Sequence, residues 1–312
     1  MSTDATPRAL AITGAGGYLG GRLVAGLADG PFSVRAVVRA PVPWLATDDQ
    51  RVVELLDRVE EVADAFQGID TVVHLAGPNE VASAADPDGA LTETVVLARH
   101  VVEAAAKAGV ERVIYVSTVH VYGARLAPGA VIDEDVAPEP RGPYAVPRLA
   151  AEHLVATAAD PVVLRLTNCV GAPAHPDVDR WTLVAADLCR SAVTTGELVL
   201  RSTGQQWRDF IGMADVVRSI AACADPAAVP PGTYNLASGR STTVRALAEL
   251  VQDRFELRTG TRPPLVAPTA TEPDPEPYRI DASRLAAHGL HAEQPLASSI
   301  DEIIDLCLAI GR

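Results

Sequence analysis

The chain has 312 residues, 48% of them hydrophobic, and a formal net charge of −14. That supplies a core for one large domain, or for a domain with a smaller lobe, without disulfide staples. The acidic balance argues against nucleic acid or an anionic membrane as a partner, but it permits a local cationic pocket. Four cysteines (Cys169, Cys189, Cys223 and Cys307) lack metal-ligand spacing and read as buried free thiols in a reducing compartment, with no metal expected. No stretch reads as a signal peptide or a membrane-length apolar run, so a soluble cytoplasmic protein with a short loose lead-in is expected.

Strands are predicted at 9–13, 33–38, 51–54, 71–75, 112–117 and 162–166, mostly as continuous apolar runs that suit burial on both faces. Helical spacing falls between them at 18–28, 59–66, 91–108 and 144–158, the third ending at Gly109, a C-terminal signal. Repeated βα units imply an α/β fold with a doubly wound parallel sheet. The first unit is the most informative. An apolar run from Ala9 to Ile12 stops at Gly14, and Gly14, Gly17 and Gly20 follow three apart before a helical stretch. A dinucleotide-binding turn needs this context: one glycine for the sharp turn, one for the approach of a pyrophosphate, and one for close packing of the helix. The helix then points free N–H groups at the phosphates.

After residue 166 the pattern changes. Turn residues crowd 171–177, and a helix is predicted at 181–195. A strand pair is expected near 198–202 and 207–211, with helices at 214–224, 242–254 and 297–309. The proline- and acid-rich stretch 261–277 reads as an extended loop. Residues 1–166 are therefore expected to form the dinucleotide domain. Residues 167–312 are expected to form a smaller mixed α/β lobe for substrate, with the chain crossing back to the sheet.

Several motifs join the glycine turn. Tyr115-Val116-Ser117-Thr118-Val119-His120-Val121-Tyr122-Gly123 lies at the C-terminal end of a central strand, where ligands sit in open parallel sheets. Tyr144 and Arg148 fall one turn apart on one helix face. With Asp70–Gly77, Trp207–Ile211 and Gly232–Gly239, these motifs resemble the extended short-chain dehydrogenase/reductase family. The likeness is to its nucleotide-sugar 4-ketoreductases and its NAD-dependent epimerase/dehydratase group. It implies a Rossmann domain, cofactor contacts from Gly14, Gly16, Gly17, Tyr18, Leu19, Gly20, Leu75, Ala76 and Gly77, and a homodimer. It also implies Tyr144 as proton donor and Thr118 as the hydroxyl that steadies a carbonyl. His120 is then expected beside the sugar, and Asn168 and Arg208 at the substrate diphosphate. Glu54, with Leu55, stands where the family places an aspartate near the adenine.

One position departs from the family. Arg148 stands where the family has lysine; arginine keeps the charge and can bond a ribose hydroxyl, but it cannot release its proton. Cofactor choice turns on the end of the second strand, where an acid would mark NAD. This strand ends at Arg39, placed for a 2′-phosphate, with Arg35 a lesser helper, so NADP(H) is expected. The resemblance then implies reduction of a keto group on a nucleotide-linked sugar, foremost a dTDP-4-keto-6-deoxyhexose of deoxysugar or antibiotic biosynthesis. The family's dehydratases carry an Asp-Glu pair after the catalytic hydroxyl; Val119-His120 replaces it here. An NAD-dependent epimerase and a non-catalytic dinucleotide-binding regulator remain as alternatives.

Overall fold

A computed structural model describes residues 7–269 and 275–311. The expected lead-in before residue 7, and residues 270–274 of the expected 261–277 loop, lie outside the described residues. The chain forms two compact units. Among the described residues, the first comprises 7–124, 137–166 and 217–234; the second comprises 125–136, 167–216, 235–269 and 275–311.

The first unit is built on a seven-stranded sheet. Its early strands are β1 (Arg8–Thr13), β2 (Phe32–Val38), β3 (Gln50–Val52), β4 (Thr71–His74) and β5 (Arg112–Thr118). The sheet order is Gly232–Leu236, Pro161–Leu166, β5, β4, β1, β2, β3. The pairs β1–β2, β1–β4, β2–β3, β4–β5 and β5–Pro161–Leu166 are all parallel. Every residue of β4 and β5 is buried, the apolar centres (72–73 and 113–116) together with the polar residues at their ends. Strands run outward from β1 in both directions, so the sequence order reverses beside it, at the position where open α/β sheets bind ligands.

Helices α1 (Tyr18–Leu27), α2 (Val59–Ala65), α3 (Glu80–Ala85), α4 (Pro87–Ala108) and α5 (Gly142–Val155) belong to this unit. α4 begins at Pro87, four residues before the expected start, because Asp86 accepts a hydrogen bond from the Gly89 N–H and Pro87 fits the first turn. α3 was not expected; the Asn79 side chain caps it by accepting from the Val81 and Ala82 N–H groups. α5 starts at Gly142 and ends at Val155, earlier at both ends than the expected 144–158. Gly14 turns the chain out of β1 with φ +70°, and a Cβ on Gly20 would lie 2.2 Å from the Gly14 carbonyl oxygen. Only glycine lets α1 pack this close to the turn.

A buried arginine ties in the returning segment. Arg112, fully buried at the start of β5, pairs with Asp160 at 2.6 Å and donates to the backbone carbonyls of Cys223 and Asp225. Thr71 donates to the Ala224 carbonyl at 3.4 Å. Residues that bring the chain back toward its last sheet strand are thus held by the early strands.

The second unit has a three-stranded sheet with Trp207–Gly212 at its centre, antiparallel to Ser241–Thr243 and parallel to Asn168–Val170. This corrects the expected strand pair: Leu198–Val199 pairs instead with Leu265–Val266, inside the stretch read as loop. The two strands do not pair with each other, because each finds its partners far along the chain. Helices Val184–Thr194, Val244–Thr259 and Leu296–Ile310 pack Leu188, Cys189, Leu247, Val251, Ile300 and Ile303 into this unit's core. The first starts three residues later than expected. All four cysteines are free; Cys169 is only half-buried, and burial pushes the Cys223 thiol up to about 12. No helix among the described residues is long and apolar enough to cross a membrane.

Candidate active site

β5 and α5 place the chemistry of the first unit. Tyr115 and Ser117, two apart on β5, both reach α5, where Tyr144, Arg148 and Glu152 follow one another at helical spacing. The Arg148 guanidinium donates to the Tyr115 hydroxyl (3.3 Å) and to the Pro78 carbonyl (3.1 Å). Its carbon lies 5.4 Å from the Tyr144 ring centroid and 6.0 Å from that of Tyr115, distances at which a cation is attracted to a ring face. Arg148 is 6% exposed, and its Nε is buried without a hydrogen-bond partner among the described residues. A Cβ on Gly77 would lie 3.2 Å from the guanidinium, so the glycine admits the wider head group.

Thr118 ends β5. Its hydroxyl oxygen accepts the His120 backbone N–H at 3.2 Å, which leaves its own proton to donate elsewhere. The exposed His120 ring meets the half-buried Tyr144 ring edge-on, 6.3 Å between centroids. Thr118, His120, Tyr144 and Arg148 are thus linked in one cluster.

Behind it lies a buried network that sequence reasoning missed. Ser117 donates to Glu152, and Arg165 donates to both Glu152 oxygens, the shortest contact being 2.8 Å. Arg165 also donates to the Tyr122 hydroxyl at 3.0 Å. None of the four residues is more than 6% exposed. The one available signal was the spacing of Glu152, four residues past Arg148 on the same face.

The glycine turn meets the cluster through β4. His74 is buried, stacks on Tyr115 at 5.4 Å between centroids, and pairs its Nδ1 with the Thr13 hydroxyl at 2.8 Å. The Thr13 oxygen accepts from the Leu75 N–H (3.2 Å), so we assign its proton to His74 Nδ1. Burial, helped by the charge of Arg148, pushes the imidazole down to about 3, and it stays neutral. Around the other end of the site, Arg39 is exposed at the end of β2. Arg35 is committed instead to Asp49 and to the carbonyls of Ala65 and Gln67, so it cannot help Arg39. Glu54 is exposed and accepts from the Leu56 N–H; Leu55 lies in the core, its carbonyl bonded to His100.

In the second unit, the register Phe210↔Asn168 sets Asn168 beside the strand that carries Arg208. The Asn168 amide donates to the Asp209 carbonyl (2.8 Å), and Arg208 donates to the Trp207 carbonyl (2.8 Å). Asp209, 1% exposed, braces this strand: its carboxylate accepts from Thr167, from the Ser238 hydroxyl and N–H, and from the Arg240 N–H. Burial raises its pKa, against the pull of those hydrogen bonds. A pocket of roughly 350 Å³ also lies wholly in this unit, lined by residues such as Phe210, Ser241, Leu247 and Leu296. None of the predicted site residues lines it.

Residues 10–237 match the model of the NAD dependent epimerase/dehydratase family. The chain is 30% identical over 298 residues to dTDP-6-deoxy-L-talose 4-dehydrogenase (NAD(P)(+)) of Kitasatospora kifunensis, across 89% of this chain and 88% of the relative. Among solved structures it is similar to MoeE5 in complex with UDP-glucose and NAD. That likeness has a TM-score of 0.81 and 26% identity and covers 96% of this chain and 99% of MoeE5. It is also similar to RMD from Pseudomonas aeruginosa complexed with NADPH, with a TM-score of 0.80 and 25% identity, covering 97% and 99% of the two chains. A family match across most of the chain and a relative shared nearly end to end agree: the chain belongs to the extended short-chain dehydrogenase/reductase family, in its NAD dependent epimerase/dehydratase group.

Proposed function

We propose that the chain is an enzyme that reduces a keto group on a nucleotide-linked sugar with NADPH, foremost a dTDP-linked 4-keto-6-deoxyhexose. The observation that carries this reading is the cluster itself, a phenol beside a buried guanidinium and joined through His120 to a strand-end hydroxyl. The described residues fit a nicotinamide dinucleotide. Among the described residues, no side chain caps α1 at Gly17, which leaves the helix N-terminus open to a phosphate, and the buried Arg148 Nε lacks a partner. Arg148 would bond the ribose, and Arg39 the 2′-phosphate. In this reading residues 1–166 hold the cofactor and residues 167–312 the sugar nucleotide, with Asn168 and Arg208 on its diphosphate; the active form is a cytoplasmic homodimer.

When bound, the nicotinamide supplies the hydride for the carbonyl carbon. The Thr118 hydroxyl donates to the carbonyl oxygen and orients it. Tyr144 gives its proton to that oxygen as negative charge develops there. The permanent charge of Arg148 faces the ring that is left as phenolate. His74, held neutral, supports Tyr115 without adding a second charge.

The relatives' names support nucleotide sugars as substrates, and NADPH in the RMD structure supports the cofactor choice. NAD with UDP-glucose in MoeE5 favours a second reading, an NAD-dependent epimerase. A panel of nucleotide 4-keto sugars with NADPH, followed by product stereochemistry, tests the first reading. Tyr144→Phe should abolish turnover and leave NADPH affinity nearly unchanged. Turnover retained in Tyr144→Phe refutes the assignment, and purified protein that carries tightly held NAD and needs no added cofactor selects the epimerase.

A further inference from the structure

We infer that His120 is a catalytic residue that returns a proton to Tyr144 after each turnover, a role that rests on the reductase reading above. In that reading the phenol O–H bond breaks as the product O–H bond forms, and Tyr144 is left as phenolate. A proton must arrive before the next cycle. Arg148 cannot supply it, because a guanidinium does not deprotonate in a protein, and two of its nitrogens are already bonded to Tyr115 and Pro78. Tyr115 is fully buried, and burial raises its pKa, so it is cut off from solvent and is a poor donor. His74 is buried and neutral, and it faces Tyr115 and Thr13. Glu80 acts electrostatically on Arg148.

His120 is exposed to water, and its ring packs edge-on with the Tyr144 ring at 6.3 Å between centroids; water at this exposed edge can carry a proton between the two side chains. Its backbone N–H on the Thr118 hydroxyl fixes it to the turn that positions the carbonyl. Imidazole is the side chain whose protonation ordinarily changes near neutral pH. The step balances simply: an imidazolium N–H bond breaks, the Tyr144 O–H bond forms, and neutral imidazole recovers its proton from solvent. Arg148 on α5 faces the Tyr144 ring of the pair, and Glu80 and Tyr115 act in turn on Arg148.

The test uses the full chain with dTDP-4-keto-6-deoxyglucose and NADPH. His120→Ala should lower kcat by about 100-fold, the low end of what a positioned acid–base group contributes, with NADPH affinity by fluorescence titration unchanged. Added imidazole should restore part of the rate. Arg148→Lys in the His120→Ala background should also restore part of it, since an ammonium can pass a proton. Independently of turnover, NMR titration of the His120 ring should shift its midpoint in Tyr144→Phe. Full activity in His120→Ala, absence of both rescues, or an unmoved midpoint overturns the relay and leaves the reductase reading standing. Absence of turnover in the unaltered chain overturns the reductase reading, and the relay with it.

Discussion

Replacing Glu152 by Gln tests whether the buried network behind the active site holds β5 and α5 together. Glu152 is 5% exposed and Arg165 is 6% exposed, so neither charge has water to fall back on. Gln keeps the volume and one acceptor for Ser117, but it turns an N–H₂ toward the guanidinium donors of Arg165. Removing one partner of a buried pair costs about 3–5 kcal/mol because the other charge is left uncompensated. For a chain of this size that lowers Tm by roughly 6–12 °C, taking 3 kcal/mol and about 2–4 °C per kcal/mol. Differential scanning calorimetry reads the shift. Glu152→Leu combined with Arg165→Met removes both charges and should recover at least half of the loss, the remainder coming from the stranded Ser117 and Tyr122 hydroxyls. A Glu152→Gln protein that melts within about 2 °C of the parent, or a double variant no better than the single one, would show that the ion pair is not what fixes this face.

Two further outcomes follow from individual side chains. His74 is held near 3 in the fold, against an ordinary value of 6.5. Its contribution is therefore complete above pH 6.5 and is lost as pH falls toward 3, by about 3 kcal/mol at pH 4.5; His74→Gln should flatten that part of the stability profile measured by urea unfolding, and an unchanged acid slope would remove His74 as its source. Arg39→Ala should weaken NADPH binding by about 10- to 100-fold, the worth of a charge-assisted contact, with little change for NADH; equal losses for the two cofactors in a fluorescence titration would refute the phosphate contact.

Local chemistry was the legible part of the sequence. The glycine turn, the buried strands and the Tyr144–Arg148 spacing could be read because each is set by neighbours a few residues away. α4 carries its start signal in Asp86-Pro87, but its apolar periodicity begins later, at the expected start. What could not be read depends on which segments lie side by side. Glu152 and Arg165 meet because Pro161–Leu166 returns next to β5. Asn168 and Asp209 meet only through the pairing of their strands. The commitment of Arg35 to Asp49 follows the same rule, since β2 and β3 had to pair before the loss of that cation to the site could be seen. His120 was expected to touch sugar, but its contact with Tyr144 depends on where α5 lies against the turn after β5.

The lock around Arg112 bears on how the chain is made. A ribosome that has released residues up to Leu166 has delivered six of the seven strands of the large sheet, but not Gly232–Leu236, nor the Cys223 and Asp225 carbonyls that receive the arginine. Until then Pro161–Leu166 is an open edge, and such edges invite pairing with other chains. A fragment ending there is a nascent chain with its sheet unfinished, and an aggregation hazard in the cell.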